Sequence, residues 1–186
     1  MAEDMRSRRT ERHLMEAFGE AIADKPLNKI TVKSLAEAAE VSKQTFYLHY
    51  TDIYDLAEKW AQRQIADMVD GMDFIEELFA DSHTFVRRLY DTMAANGNLG
   101  AILFRNDLRQ VFLPSFLDRM SARITEVWKP RVGELEVSVA TTMILSGILA
   151  LPSRHGDNMD AAIEAADNVL VRIAAGFIRT RPDGVD

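Results

Sequence analysis

From Ser42 to His49 the chain reads Ser-Lys-Gln-Thr-Phe-Tyr-Leu-His, and six of these eight side chains hydrogen-bond well and pack poorly. Hydroxyl, ammonium, amide, phenol and imidazole groups in so short a span suit two kinds of partner. One is the anionic oxygen, which accepts from any of them. The other is a planar edge that sets a donor beside an acceptor, which an amide can match twice. Covalent chemistry fits less well. His13, His49, His83 and His155 are scattered, with no second ligand three or four positions away, so no metal is expected. No GxSxG motif or phosphate loop occurs, and the acidic stretches at 76–81 and 55–58 read as solvated helix faces. The expectation is a protein that is not an enzyme and needs no cofactor.

The elements that position these groups are helices. Leu14, Phe18 and Ile22 recur every four residues and stop before Pro26, which predicts a first helix. Thr31 precedes "VKSLAEAA", Ser42 precedes "KQTFYLHY" and Asp52 precedes "IYDLAEKWAQRQIADMV". Each of the three side chains can accept from the free amides of a helix start. Two short helices that cross steeply need a small residue at the crossing, an apolar one in the turn and an anchor from the second helix. Ala36, Val41 and Phe46 fill those places. With Phe46 inward, Lys43, Gln44, Thr45, Tyr47 and Leu48 turn outward. A helix of this size fits the major groove of DNA, and its polar groups suit phosphate oxygens and base edges.

Charge permits such a partner. The formal net charge is −7, yet residues 1–50 hold eight Lys/Arg against eight Asp/Glu, so the rest of the chain carries the whole imbalance. An acidic protein can still present a local basic face. Arg6, Arg8, Arg9 and Arg12 form one such cluster.

The stretch "ITVKSLAEAAEVSKQTFYLHYTDIYDL" (30–56), above all its "TFYLHY" core, resembles the DNA-binding signature of TetR-family transcriptional regulators. The likeness is strong over residues 10–60 and extends to the remainder in helix count and order. It implies an all-α fold of about nine helices for the 186 residues. Residues 1–51 would form a three-helix helix-turn-helix DNA-binding domain, and 52–186 a larger helical regulatory and dimerisation domain. It also implies a homodimeric, ligand-responsive repressor whose partners are a palindromic double-stranded DNA operator and an unknown small-molecule effector. Carried onto this chain, it sets Thr31 and Lys33 against the DNA backbone or a base. Lys43, Gln44 and Thr45 enter the groove with Ser42 beside them, and Tyr47 and His49 contact phosphate.

Two positions depart from the family pattern. The turn carries Glu40 where glycine is usual, and a left-handed residue there would cost a non-glycine side chain on the order of 1 kcal/mol. The fourth helix opens on Thr51-Asp52-Ile53-Tyr54-Asp55 without the usual lysine, which sets two carboxylates against phosphate. Weak, salt-sensitive binding per half-site is expected, supplemented by the arginine arm. The same departures motivate a second reading: an adaptor or coactivator of this fold that acts mainly through a protein partner.

Past Met72 the pattern stays helical. Asp81-Ser82 opens one helix, Pro114 is expected to start another, one runs to Pro152, and the last starts after Asp157 or Asn158. That last helix spaces Met159, Ile163, Ala166, Leu170, Ile173 and Phe177 by fours and threes, a seam suited to other helices. Ile144, Ile148, Leu151, Ile163, Leu170, Ile173 and Phe177 are the expected dimer interface, with an intramolecular core seam as the alternative. Met93, Phe104, Phe112, Phe116, Met120, Trp128 and Met143 read as core or as the lining of an effector pocket. Arg87, Arg88, Tyr90, Arg105 and Arg109 would supply its polar end. The longest uncharged run, 137–153, falls short of the roughly 20 residues a spanning helix needs, so a buried helix and no membrane association are expected. With no cysteine and a charged opening stretch, the expected location is the cytoplasm.

Overall fold

Leu14, Phe18 and Ile22, one helical turn apart, are fully buried and turn α1 (Ala2–Asp24) toward the body of the molecule. The computed structural model describes residues 2–96, 106–130 and 133–179. Among them α1 is followed by α2 (Val32–Ala38), α3 (Lys43–His49), α4 (Ile53–Asp70) and the short α5 (Glu77–Ala80). Then come α6 (Ser82–Ala95), α7 (Asn106–Trp128), α8 (Glu134–His155) and α9 (Met159–Arg179). The described residues contain no strand, so the all-α reading stands.

α4 is apolar on two faces because it has neighbours on both. Its buried residues, from Ile53 through Trp60 to Val69, pack against α1 on one side and α7 on the other. Trp60 joins the two: its ring meets Phe18 edge-on at 5.5 Å and Phe112 of α7 at 5.6 Å. α1 passes close to this indole. A Cβ on Gly19 would stand 3.2 Å from Trp60 Nε1, which accounts for a glycine inside a helix. One buried cluster therefore runs from Leu14 to Leu170.

α8 packs on α7, and α9 packs on α6 and α8. By length and composition α8 could also cross a bilayer; here its Val137, Thr141, Leu145 and Leu149 are buried against the body. Polar ties bind the rim. Arg119 of α7 holds both oxygens of Asp70 on α4. Ser82 Oγ donates to Asp167 of α9 at 2.5 Å, and the Tyr90 hydroxyl donates to the Ile148 carbonyl. Such half-exposed ties orient helices more than they stabilise them.

Two prolines behave differently from expectation. Pro114 lies inside α7 and does not start it, and α8 continues through Pro152 to His155. A proline within a helix removes one backbone hydrogen bond and crowds the preceding turn. Pro114 sits on the exposed side of α7, where water can satisfy the carbonyl it leaves free.

Candidate nucleic-acid interface

Three capped helix starts build the candidate site. Thr31 Oγ1 accepts from the Ser34 amide at 3.1 Å while Ser34 Oγ accepts from the Thr31 amide at 3.3 Å, a reciprocal box that fixes the start of α2. Ser42 Oγ accepts from the Thr45 amide at 3.0 Å and lies 2.8 Å from the Thr45 hydroxyl. Asp52 Oδ1 accepts from the Asp55 amide at 2.9 Å. Each cap satisfies an amide that the helix geometry leaves free.

The turn between α2 and α3 is closed by backbone bonds. The Val41 amide donates to the Ala36 carbonyl at 2.9 Å and the Glu40 amide to the Glu37 carbonyl at 3.2 Å, the two bonds of a Schellman ending. That ending needs a left-handed residue, and Glu40 supplies it at φ 56°. Glycine would hold this conformation without strain. Glu40→Gly is therefore expected to raise stability by about 0.5–1 kcal/mol, the left-handed strain less the freedom glycine adds to the unfolded chain. Urea denaturation followed by circular dichroism measures it. An unchanged or lower midpoint would show that the Glu40 side chain offsets its own strain.

α3 divides into two faces. Phe46 is fully buried, meeting Tyr47 edge-on at 5.5 Å and Tyr50 at 5.6 Å. Ala36 is buried at the crossing and Val41 packs partly against the core in the turn. On the other side Ser42, Lys43 and Gln44 are exposed, Tyr47 is 58% exposed, and Thr45 and His49 are half-buried. Thr31 and Lys33 stand exposed at the start of α2, where Lys33 faces Glu37 at 3.9 Å. Tyr50 turns inward, and burial raises its hydroxyl's pKa above the ordinary phenol range, with Glu11 adding to the shift.

At the start of α4 the carboxylates are engaged. Asp55 Oδ2 accepts from the Thr51 amide at 2.8 Å, and Lys59 Nζ lies 3.1 Å from Asp55 Oδ1. The Thr51 amide, then Lys59, hold the Asp55 carboxyl below the usual carboxylate range. Lys59 also stands over the Tyr50 ring at 5.1 Å. Asp52 thus occupies an amide that an incoming phosphate would otherwise meet, and Asp55 pairs with Lys59. In α1, Arg8, Arg9 and Arg12 gather with Arg63 of α4 around a cleft of about 470 Å³. Arg63 is a member of this basic group that sequence spacing did not indicate.

The other site residues separate into two places. Met93, Phe112, Phe116, Met120 and Trp128 are buried together in the core; Phe104 and Arg105 lie outside the described residues. Met143 does not join them. It is 69% exposed on the outer side of α8, turned away from the body. Of the polar candidates, Arg88 is engaged by Asp73 at 2.6 Å and Glu77 at 3.2 Å, and Arg87 faces Asp160 at 3.9 Å. Met143 lines an open apolar groove of about 560 Å³ between α8 and α9, together with Ile144, Ile148, Leu151, Leu170 and Ile173. Gly147, four alanines between 161 and 166 and Val169 also line it, with His155 and Asn158 at one end. Ile163 packs inward instead of lining the groove, and the Phe177 side chain lies outside the described residues.

No family model matches the sequence, and no curated protein does so significantly. Solved structures do. The fatty acid degradation regulator FadR from Bacillus halodurans aligns with a TM-score of 0.56 at 19% identity, over 87% of this chain and 94% of its own. A protein from Mesorhizobium loti assigned to the TetR transcriptional regulators gives 0.57 at 18% identity, over 92% and 97%. The TetR-family repressor AlkX from Dietzia, implicated in n-alkane biodegradation, gives 0.53 at 15% identity, over 91% and 97%. The chain has the all-helical fold of the TetR-family transcriptional regulators.

Proposed function

We propose that the chain is a sequence-specific DNA-binding transcriptional regulator, a homodimer that represses and responds to a small molecule. The observation that carries this is α3: anchored by a buried Phe46, it presents Lys43, Gln44 and Tyr47 to solvent. An outward polar helix on a rigid turn is what major-groove reading requires. In this reading Thr31, Lys33, Tyr47 and His49 hold phosphate, and Ser42, Lys43, Gln44 and Thr45 face the bases. The groove between α8 and α9 pairs two copies, so that two α3 helices meet half-sites about one DNA turn apart. An effector would enter the body near Met93, Phe112, Phe116, Met120 and Trp128. Because these side chains are buried in the one hydrophobic core, it binds only by displacing some of them, and methionine permits that most readily. Residues 1–51 act as reader and 52–186 as the regulatory body.

The test is selection of random-sequence duplexes by the purified protein. An enriched palindrome is expected, with Thr45→Ala plus Tyr47→Ala weakening each half-site on the order of a hundredfold, at about 1 kcal/mol for the Thr45 bond to a base and about 2 kcal/mol for the Tyr47 bond to phosphate. Glu40 and the occupied start of α4 favour a specific alternative, an adaptor working through a protein partner. Absence of enrichment at low salt would sink the autonomous reader and support that adaptor.

A further inference from the structure

Leu48 is not explained by hydrogen bonding. It is 80% exposed, and its flanking residues Tyr47 and His49 are both polar. It follows Gln44 by four positions, so the two share the outermost stripe of α3. The fold gains nothing from a leucine there, since Phe46 anchors α3 from the opposite side. In the major groove, base-pair edges offer one prominent apolar group, the 5-methyl of thymine, and an aliphatic side chain complements it. We propose that Leu48 reads a thymine methyl in each operator half-site, about one to two base-pair steps from the base that Gln44 contacts. The spacing is geometric: four residues advance about 6 Å along a helix, against about 3.4 Å per base pair. This assignment rests on the DNA-reading role proposed for α3. It makes Leu48 a specificity-determining residue that discriminates by shape and apolarity where its neighbours discriminate by hydrogen bonds.

The experiment uses the full chain and the selected duplex, remade with uracil in place of thymine at one position at a time, which removes only the methyl group. The wild-type protein is expected to lose about fourfold in affinity per half-site at one thymine, the effect of one methyl group leaving an apolar contact. Leu48→Ala is expected to bind the thymine and uracil duplexes equally. Its folding is checked by circular dichroism, and alanine is a good helix former at an exposed site. Wild-type binding that ignores uracil at every thymine overturns the assignment, as does a thymine preference that survives in L48A. Both outcomes leave the DNA-reading role standing. Failure of the wild type to enrich any duplex overturns the two together.

Discussion

Phe46→Ala is expected to destabilise the protein by about 3–5 kcal/mol, the range for truncating a fully buried aromatic ring. Three effects add. The ring's apolar transfer energy is lost, its contacts with the Tyr47 and Tyr50 rings vanish, and a cavity is left beside a turn closed by the Val41–Ala36 bond. A domain has only about 5–15 kcal/mol of stability to lose, so the change removes a fifth or more of it and exhausts it at the low end of that range. Tyr47→Ala, one position along, provides the contrast. Its ring is mostly in water, and the change should stay below about 1 kcal/mol. Urea denaturation of both variants measures the difference. Equal losses would mean that Phe46 does not anchor α3.

The second large effect lies at the far end of the molecule. Val169→Glu is expected to convert the proposed dimer to monomers with little change in protomer stability. Val169 is 57% exposed in the single chain, so glutamate there is solvated until a partner arrives. In a two-fold interface across this groove, which Val169 lines with Met143 and Ala165, the substitution would appear twice. Burying an unpaired ion costs several kcal/mol, so association should weaken by more than about a thousandfold. Sedimentation velocity at micromolar protein would read it directly. A variant that stays dimeric would place the contact on another face. Operator affinity should fall with the dimer, because two half-sites are then no longer engaged by one molecule.

Legibility in the sequence followed how local the physics is. Thr31, Ser42 and Asp52 cap the helices that spacing predicts, because a cap involves only four consecutive residues. Phe46 and Ala36 were readable because a steep helix crossing leaves few choices of residue size. The prolines misled because the cost of Pro114 depends on whether water reaches its turn, which is a tertiary fact. The apolar seam of α9 was visible, but period alone cannot say whether the same chain or another copy covers it. Ile163 faces its own body, and Val169, roughly a third of a turn around the helix, lines the groove. Met143 was misplaced for the same reason. Asp55 was readable as a charge near phosphate, but not as a group already engaged by the Thr51 amide and Lys59.

The stack of Phe18, Trp60 and Phe112 bears on how the molecule melts. An independently folding reader would need its own closed core, and here part of that core belongs to α4 and α7. Separating the first three helices from the rest would leave Trp60 and the face of α1 in water. The loss would fall on both sides of the cut. A single cooperative melting transition is therefore expected, with no early step in which α1 parts from the body. The helix that α2 packs on is then held by the whole body and not by the reader alone.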